Sequence, residues 1–226
     1  MLIFLMCLCF LHFPFSSKVL ALKLEGKFFL PLTLFTLPFL FSQDEKIMEE
    51  IPDRLESKLS KSAWETFSAL GDGKVELLTL GAIYLLPQEY HRQSVRLAFK
   101  SMIKASLYTW ILKVSFGRAR PYEKEKGFFG PSLTHHSFPS GHTATIFAIA
   151  KVFGERYKIK KATYLLATLT GVSRVILKKH YPTDVIAGAL VGYLAGEEVL
   201  NNNGGDGRVI FLPDKEGPKL LVSLKW

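Results

Sequence analysis

The 226-residue chain predicts an all-α protein, a helical bundle of five to six core helices with a short possible β-hairpin tail. Three observations carry that reading. Apolar segments of helical length recur at Val75–Leu86, Leu97–Phe116, Thr143–Phe153, Ala162–Leu177 and Val185–Leu200. The two-residue alternation and β-branched enrichment that mark strands are scarce within them. The breaks between them carry turn chemistry: Gly71-Asp72-Gly73, Pro121, Pro139-Ser140-Gly141 and Pro182.

Taken in order, Met1 to Ser17 is uncharged, and Val19 and Ala21 suit a signal-peptidase site. Residues 1–21 therefore read as a signal peptide or an N-terminal anchor. A second apolar run, Phe28 to Ser42, is interrupted by Pro31 and Pro38. Gln43 to Ser62 is polar, with helical character around Asp44–Glu50 and Leu55–Leu59. The five apolar helices follow, so residues 22–200 form one domain. After Leu200, the run Asn201–Gly207 is a flexible break. Arg208–Leu212 and Leu220–Leu224 then flank Pro213–Pro218 in the manner of a hairpin. Residues 201–226 receive no chemistry.

Composition narrows the partners. Hydrophobic residues make up 48% of the chain and the formal net charge is +9. A basic surface suits an anionic partner. No zinc-finger spacing or aromatic-interleaved basic stripe is present, so nucleic acid is not expected. Both cysteines, Cys7 and Cys9, lie in the first apolar run. The body of the chain therefore has no disulfide framework, cysteine metal site or cysteine nucleophile.

Three short motifs carry the chemistry. They are Lys113 through Arg120-Pro121, then Pro139-Ser140-Gly141-His142, then Ser173-Arg174 followed by His180 and Asp184. Together they supply what phosphoryl transfer without a metal requires. Lys113, Arg120 and Arg174 are a candidate clamp for phosphate oxygens, since charge spread over three oxygens needs several donors. His180 is the candidate nucleophile, because a neutral imidazole can attack phosphorus. Asp184, four residues on and just past Pro182, is placed in the first turn of a new helix. There it can orient the imidazole and stabilise its cation. His142 is the candidate general acid for the leaving group. Ser140 reads as the N-cap of the helix that follows, with first-turn amides free for an anion. No magnesium-type acidic cluster, Walker loop, HExxH or GxSxG occurs, so no cofactor or metal is expected. Arg118, Lys124, Lys126, Lys178 and Lys179 read as solvated surface charge. His135 and His136 fall in a connection read as a mobile loop, and Phe128 and Phe129 as an aromatic lip beside it. His91 lies in a polar stretch, Gln88–Arg96, with no catalytic role.

The triplet K-x6-RP, PSGH, SR-x5-H-x3-D resembles the signature of the type 2 phosphatidic acid phosphatase superfamily, which also holds bacterial acid phosphatases and vanadium haloperoxidases. The likeness spans roughly residues 65 to 200, and every motif position is filled. It implies a phosphoric-ester hydrolase working through a phosphohistidine. It also implies phosphate contacts from Ser140 and the Gly141 amide. The expected substrate is a lipid phosphate monoester or diphosphate. The alternatives are a soluble periplasmic acid phosphatase of broad range, a haloperoxidase, for which the chain is short, and a non-catalytic lipid-phosphate binder.

The resemblance supplies both membrane-integral and soluble periplasmic architectures. No apolar uncharged stretch after residue 43 reaches the roughly 20 residues of a typical span. The run at 28–42 is nevertheless hard to bury in a compact domain, so a membrane-embedded form is expected. Basic loops at Gln88–Arg96 and Glu155–Lys161 are expected in the cytoplasm. The active site then faces the periplasm of a bacterial inner membrane.

Overall fold

The computed structural model describes residues 41–50 and 59–202, together with the backbone of 209–214 and 217–222. The expected signal or anchor at 1–21, most of the apolar run at 28–42, and most of the helical stretch at Leu55–Leu59 lie outside the described residues. Residues 41–50 are helical. The bundle that follows comprises α1 (Lys61–Ala69), α2 (Gly73–Tyr84), α3 (Glu89–Phe116), α4 (Gly141–Tyr157), α5 (Lys160–Ile176) and α6 (Pro182–Asn201). All five expected helices are present. α1 was not expected, because its sequence KSAWETFSA carries only a few apolar residues.

The boundaries moved for a common reason. An apolar run marks the buried part of a helix, whereas capping chemistry marks its ends. The stretch Gln88–Arg96, expected as a loop, forms the first turns of α3, which is 28 residues long or about 42 Å. Arg96 pairs there with Glu89, and His91 Nδ1 lies 2.7 Å from the Tyr157 hydroxyl. Asp72 caps α2, its Oδ1 accepting from Lys74 N at 2.9 Å. Pro182 opens α6 at a position where its missing N–H costs nothing.

α4 is the central helix and packs against α3, α5 and α6. One core cluster joins Leu80, Val95, Leu97, Ala98, Met102, Ile149, Val152 and Val199 at the end away from the motifs. A second seam is built from Ala105, Ala144, Ala148 and Ala195. Small residues let the backbones of α4 and α6 approach closely. A Cβ added at Gly192 would stand 2.1 Å from the Ala144 carbonyl oxygen. That contact locks the relative position of the two helices that open on the second and third motifs.

Many large apolar side chains remain on the outside: Leu77, Leu78, Leu85, Phe99, Ile103, Leu107, Trp110, Ile111, Leu165, Leu166, Ile186 and Leu190. Among the described residues, no helix is long and apolar enough to cross a membrane. The tail contains the expected hairpin. β1 (Val209–Asp214) pairs antiparallel with β2 (Gly217–Val222), and the ladder reaches Asp214↔Gly217. The turn is therefore tighter than the prolines suggested.

Candidate active site

The three motifs meet at one end of the bundle. α5 ends at Ile176, and a short turn carries Lys178 at φ +53. The amides of Lys179 and His180 both donate back to the Arg174 carbonyl. The turn thus presents His180 and Arg174 side by side. α6 starts two residues after His180, which puts Asp184 in its first turn, as expected from Pro182.

Asp184 is fully buried, and its carboxylate is saturated with donors. Arg118 Nη1 donates to Oδ1 at 2.7 Å, Ser137 Oγ to Oδ2 at 2.5 Å and Tyr181 N to Oδ2 at 3.0 Å. His180 Nδ1 stands 3.5 Å from the same Oδ2. This arrangement turns the Nδ1 edge of the ring toward Asp184 and the Nε2 edge away from it. Burial pushes the His180 imidazole down to about 4, with Asp184 opposing and the charges of Lys113 and Arg174 assisting. At neutral pH the ring is a free base.

Arg118 is the residue that sequence reasoning misjudged. Read as solvated charge, it is only 4% exposed. Its Nη2 donates to Asp44 Oδ2 at 2.7 Å while Nη1 holds Asp184, and its guanidinium lies 4.0 Å from the Tyr181 ring centroid. Asp44 in turn accepts from the Thr183 amide at 3.1 Å and from the Thr183 hydroxyl, tying segment 41–50 to the start of α6. A cation buried between two carboxylates is invisible locally, because Asp44 lies 74 positions upstream. Its one local signal is its place inside the first motif, two residues before Arg120.

The cations gather on the other side of His180. Lys113 Nζ donates to the carbonyls of His136 and Ser137 at 2.7 and 3.4 Å, and among the described residues no carboxylate forms an ion pair with it. Burial pushes its ammonium down to about 8, with the like charges of Arg120 and Arg174 assisting and Asp184 opposing. Arg174 is buried, and its Nη1 donates to Ser68 Oγ of α1 at 2.6 Å. Arg120 is half-buried, 5.8 Å from the Tyr122 ring centroid. Gly141 adds its amide at the start of α4, and a Cβ built there would stand 3.9 Å from Lys113 Cε. Ser140 occupies the N-cap position, but its side chain does not cap the backbone. Its Oγ accepts instead from Thr143 Oγ1 at 2.9 Å. The Ser140 amide donates to the Asp184 carbonyl at 2.8 Å, which joins the second motif to the third.

His142 lies one residue into α4, within electrostatic reach of His180 and Arg174. Burial, followed by the Arg174 charge, pushes its imidazole down to about 4. His135 is not in a free loop. It is half-buried, with Nδ1 2.8 Å from Glu123 Oε2 and its ring 4.6 Å from Phe129. Phe128 packs with Phe116 and Phe138 and against Arg118, and still exposes 39% of its surface. The lip is therefore also wall.

A buried imidazole–carboxylate pair and a second imidazole beside three convergent cations define a helical bundle with a basic pocket at one end. Comparison with known proteins places it more narrowly. Residues 95–202 match the family model of the PAP2 superfamily. The crystal structure of LpxE from Aquifex aeolicus is 30% identical and superimposes with a TM-score of 0.53, covering 63% of this chain and 86% of that one. The chain belongs to the PAP2 superfamily. Lipid A 1-phosphatase of Porphyromonas gingivalis is 41% identical over 90 residues, which is 38% of this chain and 18% of that protein. This chain thus spans a minor part of that relative. A transmembrane PAP2-type phosphatidylglycerolphosphate phosphatase from Bacillus subtilis shares the fold, with a TM-score of 0.59 at 20% identity over 89% of this chain and 94% of that one.

Proposed function

We propose that this chain is a metal-independent phosphatase that releases phosphate from a phosphorylated lipid through a phosphohistidine. One observation carries the reading. Among the described residues, Lys113, Arg120 and Arg174 converge beside His180 without forming an ion pair with a carboxylate, Asp184 and Asp72 acting on them only at longer range, so the pocket suits an anion. The three cations and the Gly141 amide bind the phosphoryl oxygens and stabilise the charge that develops on them. The His180 Nε2 lone pair attacks phosphorus, the P–O bond to the leaving group breaks, and His142 delivers a proton to that oxygen. Asp184 stabilises the resulting imidazolium. Water then attacks phosphorus, His142 removes its proton, the P–N bond breaks and His180 is restored.

A lipid substrate is supported by the surface. Leu133 and Tyr122 beside the motifs are 76% and 64% exposed, next to Phe129. The exposed apolar side chains of α2, α3, α5 and α6 suit contact with acyl chains. The names of the relatives point the same way. The proposed location is the bacterial inner membrane, with the site facing the periplasm.

The test is phosphate release by the purified full chain from phosphatidic acid, lipid A and a polyprenyl diphosphate in mixed micelles, beside water-soluble phosphoesters, with and without EDTA. Turnover of a lipid phosphate that survives EDTA and is blocked by vanadate is expected. Loss of activity on chelation, restored by magnesium, would overturn the mechanism. Equal turnover of soluble esters would overturn the lipid assignment.

A further inference from the structure

The turn between α1 and α2 lies outside the residues that match the family model, yet it touches the site twice. Gly71 is buried directly against His142. A Cβ there would stand 2.8 Å from the His142 carbonyl oxygen, 3.1 Å from His142 Cβ and 2.8 Å from Thr170 Cγ2. Ser68, one turn earlier, is the acceptor that holds Arg174 Nη1 at 2.6 Å. Asp72, the next residue after Gly71, acts on both His142 and Arg174 through its charge.

We propose that the segment Ser68–Asp72 is a positioning element of the active site, in which Gly71 seats His142, Ser68 holds Arg174, and Asp72, the next residue after Gly71, is the counter-charge for the imidazolium that forms when the ring takes up the substrate's proton. The inference rests on His142 being the general acid. The charges around His142 make the need plain. Arg174 from α5, and Lys179 and His180 from the α5–α6 connection, all disfavour its protonation. Lys113 and Arg120 complete a cationic pocket. Glu76 of α2 is buried one turn beyond Asp72, against Thr145. Among the described residues around His142, Asp72 is the carboxylate whose charge favours the protonated ring. An acid facing this many cations needs such a partner.

The discriminating variant is Asp72→Asn. Asparagine caps a helix as well as aspartate, so α2 keeps its start while the charge is lost. Turnover of an alkyl phosphate, whose alkoxide must be protonated, is expected to fall roughly tenfold, and that of p-nitrophenyl phosphate less than about twofold. The high-pH limb of kcat for the alkyl ester should move to lower pH. Gly71→Ala, with folding followed by thermal melting, should show the same leaving-group signature. His142→Ala is the reference. If His142→Ala discriminates between the two esters and Asp72→Asn does not, the turn has no such role while the function stands. If His142→Ala hits both esters equally, His142 is not the acid, and both assignments fall.

Discussion

Two lysines sit in the interior of this bundle, and their surroundings are opposite. Lys151 on α4 is 5% exposed and completely partnered. Its Nζ lies 2.9 Å from Glu155, 2.5 Å from Glu197 and 3.3 Å from the Tyr193 hydroxyl. Lys113 on α3 finds two backbone carbonyls, the repulsion of two arginines and, without contact, the attraction of Asp184. The first cluster is closed, with opposite charges in contact. The second is open, with a surplus of positive charge held in place by helix packing. A buried charge left unbalanced costs stability, so it persists where a ligand completes it. The difference tells structural charge from functional charge without any motif.

The comparison can be broken at several levels. The largest effect is expected from His180→Asn, which removes the nucleophile and leaves the open cluster intact. Phosphate release should fall by at least about 10,000-fold while vanadate still binds, as read by protection against thermal unfolding. Wild-type turnover by the folded variant would end the assignment. Next come the two lysines themselves. Lys113→Met should lower turnover about 100- to 1,000-fold while the melting temperature stays level or rises. Lys151→Met should do the converse, losing about 1–3 kcal/mol of stability by leaving Glu197 without its cation while Glu155 keeps Lys160, with turnover per folded molecule unchanged. Identical behaviour of the pair would mean that the contrast carries no meaning.

Smaller effects sharpen the picture. Arg118→Lys keeps the charge between Asp44 and Asp184 but loses the fork that holds both. A fall in kcat of about tenfold with KM nearly constant is expected in steady-state kinetics. The pH profile is subtler still. His180 must be neutral, and its depressed value near 4 means that kcat/KM for an alkyl phosphate collapses as pH falls through that value. His142 is also pushed down to about 4, so in the free enzyme it is uncharged at neutral pH. The proton for the leaving group then arrives with the substrate monoanion, and kcat/KM should decline above roughly pH 6, where a phosphate monoester loses its second proton. A profile flat from pH 4 to 8 would contradict this account.

Much of this was legible in the residues. The helical bundle followed from the apolar segments; six of the eight candidate residues followed from residue type and spacing, and Ser140 and Gly141 from the family resemblance. The structure brings all eight to one end of the fold. Asp184 in particular could be placed in a first turn because Pro182 cannot continue a helix. What escaped has a shared cause. Arg118 looked solvated because its partner Asp44 is remote in sequence, and burial is a tertiary property. Ser68 and Gly71 sit in an amphipathic helix and an ordinary-looking turn, and nothing local says that His142 lies against them. The stretch Gln88–Arg96 is helical although mostly polar, because Ser94 and Val95 turn one face of it into the core while the rest faces outward.

The close contact of α4 with α6 has an engineering consequence. The Gly192–Ala144 approach and the amide bond from Ser140 to the Asp184 carbonyl leave no slack between the helices that carry His142 and His180. Directed evolution toward a new substrate therefore has little to gain from these two helices, where almost any larger residue would jam the frame. Variation is tolerated at the rim, in the connection that bears Tyr122, Phe129 and Leu133. Grafting that connection from one relative onto the frame of another is the economical route to a changed substrate range, with the reacting centre left as it stands.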